Sequence, residues 1–303
     1  MTIEPRLNIG LANYGPGASP EHLLRAAEAA DAAGVDALTV VDHVVLGGDL
    51  DGYPYGAFPG GPDAPWLEPM TILAAIAART ASIRLATGIL IAPLRGAAVL
   101  AKAAATLDVL SGGRLDLGVG TGWLPKEYEA AGLSFAQRGG LLDDALAVCR
   151  SLWRGGPTSY RSPRLAFDDV WCHPTPIQAD GIPLWIAGEL HARNIARLVD
   201  FASGWIPSPN ASTADVAALA GTLRAALLAA ARDPGSMRIR IALPIVRDAD
   251  RRPLLEPSFD AVPDLLSLGA TDVFTPLGQW CRDPGGLGPC CERLVAAWRG
   301  ALA

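Results

Sequence analysis

Eight times along this 303-residue chain a short apolar run gives way to a segment with helical spacing, and that alternation restricts the fold more than any other feature. The runs cover residues 7–13, 37–41, 83–91, 115–120, 183–187, 204–207, 238–246 and 272–275. Between them lie helical patterns at 20–33, 69–80, 97–110, 124–131 with 135–153, 188–201, 213–232, 258–268 and 288–299. In the first of these, Leu23, Leu24, Ala27 and Ala30 share one face and Gly34 supplies the stop. Strands that each feed a helix must run parallel, with helices covering the sheet. Eight such units in about 300 residues fit a closed (β/α)8 barrel, the TIM fold, better than an open doubly wound sheet, which is the alternative. Two insertions interrupt the repeat. One is the stretch 44–66 after the second strand, and the other, between the fourth and fifth, contains a hairpin-like segment at 158–167. No shift in composition marks a linker, so a single domain spanning 1–303 is expected.

Half of the residues are apolar and 18% are charged, enough for a large core and too ordered a composition for global disorder. The net charge of −6, without a basic cluster, argues against nucleic acid or acidic lipid as a partner. No apolar run reaches membrane-spanning length and no leader pattern opens the chain, which points to a soluble, cytoplasmic protein with a small-molecule substrate. Five cysteines, an odd number without a Cys-x-x-Cys pair, argue against a disulfide framework or a structural zinc site. Cys290 and Cys291 read as a surface thiol and a core thiol of the last helix. No metal is expected, because His22 lies in a helix and His173 and His191 lack ligand spacing. There is no Gly-x-Ser-x-Gly elbow, and neither Lys102 nor Lys126 falls at a strand end, which disfavours a nucleophilic serine and a Schiff base.

Barrel enzymes carry their chemistry where the strands stop. Those positions are Asn13, Asp42-His43, residues 88–92, residues 120–123, Gly188-Glu189, Pro207-Ser208, Arg247 and Thr275. His43 is the one histidine among them, and an imidazole there can pass a proton or donate to a ligand oxygen. Otherwise Asp42 caps the following turn and His43 sits idle at the rim. The fourth run ends in Gly120-Thr121-Gly122, where small residues let a flat or anionic ligand approach the main chain, or simply form a tight turn. The stretch 44–66 is rich in Gly, Pro and aromatics (Tyr53, Tyr55, Phe58, Trp66), as in a lid over the mouth or a dimer contact.

Several motifs taken together resemble the luciferase-like monooxygenase superfamily, and most closely its deazaflavin-dependent branch. They are Val41-Asp42-His43, the segment 87–95, the segment 100–108, and Gly113 through Trp123. Further matches are Glu127-Tyr128 with Phe135 and Arg138, Pro174-x-Pro176-x-Gln178, Ile186-Ala187-Gly188-Glu189, and Gly204-Trp205-Ile206-Pro207. The resemblance implies coenzyme F420, or alternatively FMN, lying across the barrel mouth near Asp42, His43 and the third strand, with contacts at Gly88, Ile89 and Ile91. It implies a cis peptide between Gly88 and Ile89. It assigns Gly120, Thr121 and Gly122 to the ribityl chain or phosphate, and the main chain of Gly188, Glu189 and Leu190, at the start of the next helix, to the phosphate. Arg95 and Arg138 could add counter-charge or form structural salt bridges. His43 would be the proton carrier, and Asn13, Trp66 and Trp123 would border the substrate. Trp123 stands where the sugar-phosphate-oxidising branch has an acidic residue, which disfavours glucose-6-phosphate oxidation. Hydride transfer to or from a small organic substrate, in a homodimer, is the implied activity. The alternatives are an FMN-dependent monooxygenase served by a separate flavin reductase, and a non-catalytic cofactor- or ligand-binding barrel.

Overall fold

Parallel pairing runs unbroken around a closed ring in the computed structural model, which describes residues 3–15, 18–281 and 283–303. The strands are β1 (Arg6–Gly10), β2 (Ala37–Val40), β3 (Arg84–Thr87), β4 (Leu90–Ile91), β5 (Leu115–Gly120), β6 (Thr158–Arg161), β7 (Ala166–Val170), β8 (Leu184–Ala187), β9 (Gly204–Ile206), β10 (Arg238–Ala242) and β11 (Asp272–Pro276). The expected third run, 83–91, is split into β3 and β4 at Gly88–Ile89, whose peptide bond is cis as the resemblance implied. The order β3-β2-β1-β11-β10-β9-β8-β5-β4, with β3 also pairing β5, closes eight strands into a TIM barrel. β6 and β7 form a separate antiparallel hairpin in the insertion where one was expected.

The helices are α1 (Pro20–Ala33), α2 (Pro69–Ala77), α3 (Ala97–Leu110), α4 (Pro125–Ala130), α5 (Arg138–Leu152), α6 (Ala192–Phe201), α7 (Thr213–Ala229), α8 (Leu255–Phe259), α9 (Val262–Ser267) and α10 (Leu287–Leu302). Their ends follow from local chemistry. Ser19 accepts from the His22 N–H ahead of Pro20, and Gly34 closes α1 in the left-handed region at φ 85°. The helix expected over 258–268 is two short helices instead, because Pro263 lacks an N–H and can stand only in the first turn of α9. No described helix is long and apolar enough to cross a membrane.

Side chains alternate across each strand. Leu7, Ile9, Leu38, Val40, Leu85, Leu117, Val119, Ile239 and Ile241 face the helices and form the main core. The alternate residues line the barrel interior, which is polar at its N-terminal end. There Asp116 takes Arg84 at 2.7 Å and Arg6 at 3.4 Å, and Asp272 takes Arg238 at 3.0 Å. Above them Thr39 donates to Asn8 at 2.7 Å. Gly204 has no side chain because the Trp185 indole occupies that space, 2.3 Å from where a Cβ would be.

One expectation about the cysteines fails. Cys290 is bonded to Cys281, nine residues earlier, with Cα atoms 6.0 Å apart. The fold brings the two side chains together, which an odd count and spacing alone do not reveal. Cys291 is the buried free thiol of α10 that was expected.

Candidate active site

His43 lies three residues beyond the end of β2 and is 9% exposed. Its Nδ1 lies 3.2 Å from Oε1 of Glu127 on α4, close but off the line of a hydrogen bond. Glu127 is 1% exposed, and the same oxygen accepts the Val44 N–H at 2.7 Å. A buried carboxylate on this short helix therefore anchors the root of the long loop and stands against the imidazole. The family-like Glu127-Tyr128 pair did not mark Glu127 as a site residue; only the fold brings α4 against the end of β2. Tyr128 donates its hydroxyl to the Thr121 carbonyl, and burial pushes its phenol well above the ordinary range.

Asp42 is occupied. Arg95 forms a bidentate pair with it at 2.6 and 2.9 Å, and the Ile91 N–H donates to Oδ2 at 2.8 Å. Burial raises its carboxyl, against the pull of Arg95 and the amide. Arg95 also reaches Glu68 at 2.8 Å, so of its two expected roles it takes the structural salt bridge. Asp42 thus locks β4 against β2. The glycines of the mouth are there for close approach. A Cβ on Gly88 would lie 2.5 Å from Thr39 Cγ2, one on Gly120 3.0 Å from Ile89 Cδ1, and one on Gly122 3.0 Å from Ile91 Cγ2. Gly122 also has φ 68°, which disfavours a side chain.

The loop 44–66 folds over this end of the barrel as an aromatic cover. Trp66 meets the His43 ring edge-on with centroids 4.7 Å apart, Phe58 at 5.4 Å and Trp123 at 6.0 Å. Tyr53 joins them against Trp123 at 5.3 Å, and Tyr14 stacks on Trp66 at 4.5 Å. The tip crosses to the far rim, where Asn210 donates to the Pro54 carbonyl at 2.9 Å. Trp123 packs under the loop, and its Nε1 has no acceptor among the described residues. Beside the cover, at the C-terminal ends of β2, β3, β9, β10 and β11, a cavity of about 230 Å³ is lined by Thr39, Gly88, Ile206, Ser208, Arg240 and Phe274, among others. A larger one of about 470 Å³ lies at the opposite end of the barrel, near Ile3 and Gly269, away from His43.

The luciferase-like monooxygenase family model matches residues 7–262. The chain belongs to the luciferase-like monooxygenase family. An uncharacterised protein of Mycobacterium tuberculosis (strain ATCC 25618 / H37Rv), Rv0940c, is 33% identical over 189 residues, 59% of this chain, and the match spans 62% of that relative's length. Among solved structures, the monooxygenase RslO1 from Streptomyces bottropensis superposes with a TM-score of 0.80 at 21% identity, covering 98% of this chain and all of that one. An F420-dependent secondary alcohol dehydrogenase in complex with an F420-acetone adduct gives 0.77 at 15% identity, covering 98% and 99%.

In this luciferase-like barrel the mouth gathers His43, Gly88, Ile89, Gly120, Thr121, Gly122, Trp66 and Trp123. Other expected residues are placed differently. Asn13 has no exposed surface: its amide donates to the Val41 and Leu67 carbonyls at 2.8 and 2.7 Å and accepts the Val41 N–H at 3.0 Å. It ties the loop ends together and does not border a substrate. Ile91 is 1% exposed, with its side chain against Gly122. Gly188, Glu189 and Leu190 do not begin the helix; α6 starts at Ala192, capped by His191. The Gly188 N–H is taken by the Ile206 carbonyl at 3.0 Å, so it is no free anion donor. Glu189 is exposed, and Leu190 packs against the core. Arg138 sits over the Phe135 ring at 4.0 Å, with no carboxylate partner among the described residues. Sequence reasoning missed Glu127 and Arg240. The first carried a signal, the Glu-Tyr motif; the second carried none.

Proposed function

We propose that the chain is a coenzyme F420-dependent oxidoreductase that moves a hydride between the deazaflavin and a small organic substrate. The observation that carries this reading is His43, the one imidazole at the strand ends, held against buried Glu127 and ringed by Phe58, Trp66 and Trp123. The main chain at Gly88, Gly120 and Gly122 presents no side chains of its own, which suits a flat cofactor lying against the backbone, with Thr39, Ile89 and Ile91 packed beside the three glycines. Gly88, Ile89, Gly120, Thr121 and Gly122 would hold it, mainly through the backbone. When bound, the cofactor supplies the hydride chemistry. The chain supplies the rest. His43 holds or moves the accompanying proton at Nε2, the nitrogen turned away from Glu127. Glu127 orients the ring, and the aromatic loop keeps water from the reacting atoms.

Titration with F420 and with FMN, followed by tryptophan fluorescence, tests the cofactor. F420 should bind at least about tenfold tighter, a difference of about 1.4 kcal/mol. Reduced F420 is then mixed anaerobically with a panel of ketones, aldehydes and activated alkenes. His43→Ala should lower turnover ~10²–10⁴-fold and leave cofactor binding intact. Tighter binding of FMN would replace this reading with the FMN-dependent monooxygenase. Binding without turnover across the panel would leave a ligand-binding barrel.

A further inference from the structure

The floor of the mouth cavity carries a guanidinium with nothing to hold. Arg240, on β10, points into the barrel, is 6% exposed and makes no side-chain hydrogen bond or salt bridge among the described residues. Its one close partner is the face of Trp185, 4.8 Å away. The carboxylates within electrostatic reach, Asp116 and Asp272, are already paired with Arg84, Arg6 and Arg238. Two further inward donors, Asn8 Nδ2 and Trp185 Nε1, also lack an acceptor among the described residues. Burying an unpaired cation is costly, and burial lowers the affinity of this guanidinium for its proton. A fold keeps such a group where an anion arrives to pair with it.

The cavity gives the anion its shape. Arg240 is the one charged residue among those lining it; Ile206, Val216, Ala242 and Phe274 supply apolar walls. Gly88 clears the way to the charge, since a Cβ there would sit 3.1 Å from Arg240 Nη1. A planar guanidinium at the base of an apolar slot matches a planar oxyanion on a flat apolar body. We propose that Arg240 is the anion-binding residue of this mouth, pairing with a planar oxyanion presented by an aryl or alkyl carboxylate substrate or by the anionic pyrimidine edge of the reduced cofactor. This assignment rests on the reading above for what enters the mouth, but the first arm of its test needs no cofactor.

In that arm, benzoate and its neutral counterpart benzyl alcohol are titrated calorimetrically into the apoprotein, wild type and Arg240→Met. Loss of a charged hydrogen-bonding partner should weaken benzoate about 10- to 150-fold and leave benzyl alcohol unchanged. Thermal unfolding without ligand supplies the control. Arg240→Met should melt no lower than wild type, because it removes an unpaired buried charge, whereas a purely structural arginine would make it melt lower. In the second arm, reduced F420 and FMN are bound to both proteins and their ultraviolet–visible spectra are followed against pH. If the cofactor edge is the partner, the ring ionisation moves to higher pH in Arg240→Met while benzoate shows no charge preference. Arg240→Lys, which keeps the charge and loses the fork, should fall between the two in whichever arm responds. Either response supports the site and names its source. Equal benzoate and benzyl alcohol affinities together with an unmoved ionisation overturn it, as does Arg240→Met melting below wild type without loss of benzoate binding.

Discussion

Replacing Glu127 separates its two jobs. Its Oε1 accepts the Val44 N–H at 2.7 Å and lies 3.2 Å from His43 Nδ1, in a side chain 1% exposed. Glu127→Ala removes the acceptor from the Val44 N–H, and a buried donor left unmade costs about 1–3 kcal/mol. The emptied volume adds about 24 cal/mol per Å³ where neighbours do not collapse into it. The sum is about 2–4 kcal/mol, and at about 2 °C per kcal/mol for a chain of this size the melting temperature falls by about 4–8 °C. Glu127→Gln keeps an oxygen for Val44 and loses only the charge beside His43. Its stability should stay within about 1 kcal/mol of wild type, since the amide still makes the neutral hydrogen bond. Its turnover should fall ~10–100-fold, the usual effect of removing an orienting partner. Urea unfolding gives the stabilities, and hydrogen exchange at the Val44 amide reports the loop root directly: fast in Glu127→Ala, protected in Glu127→Gln. If Glu127→Gln loses as much stability and protection as Glu127→Ala, the carboxylate is not acting as an acceptor at the loop root. If it turns over like wild type, His43 works without its counter-charge.

Two further outcomes are accessible by simple biophysics. Gly88→Ala should cost about 1–3 kcal/mol by overpacking, because its Cβ would meet Thr39 Cγ2 at 2.5 Å; adding Thr39→Ser, which removes that methyl and keeps the hydroxyl bonded to Asn8, should restore most of it, whereas strictly additive losses would show that the clash lies elsewhere. Asp31 accepts the N–H groups of Ala81, Ser82 and Ile83 at 2.6, 3.0 and 2.7 Å, and although burial raises its carboxyl these amides outweigh it and hold the group below its ordinary value. A depressed carboxyl stabilises the fold above its unfolded value near about pH 4 and loses that contribution as pH falls through the folded value. The stability gap between wild type and Asp31→Asn should therefore be constant near neutrality and close in acid; a gap unchanged down to unfolding would remove Asp31 from the acid response.

The barrel was legible because its signals are local and repeat. Ser19-Pro20 and Gly34 mark both ends of α1 by capping chemistry alone, and eight strand–helix units leave few topologies. His43 was legible as the histidine at a strand end. What the sequence hid depends on contacts between distant segments. Asp42 reads as a turn cap or a cofactor neighbour until Arg95, fifty-three residues on, is seen to fill it. Asn13 is polar at a strand end, as a substrate contact would be, yet Val41 and Leu67 use every polar atom of its side chain. The start of α6 slipped by four residues because histidine is a poor advertisement for a cap, although His191 accepts the Asn194 N–H.

Arg240 escaped for a reason built into closed barrels. The segment Arg238-Ile239-Arg240-Ile241 alternates charged and apolar residues, the pattern of a strand with one face in the core and one in water. In a barrel the apolar face turns outward, under the helices, where Ile239 and Ile241 join the core, and the charged face turns into the enclosed interior, where Arg240 is 6% exposed. The same letters thus describe a solvated arginine or a buried one, and closure of the sheet decides between them. Arg238 resolves its burial by pairing with Asp272, one strand over. Arg240, two residues nearer the mouth, finds no such neighbour, because at that level the interior turns to glycine, threonine and aromatic side chains that leave room above it. Room above an unpaired charge is what a binding site requires and what a structural interior would have filled.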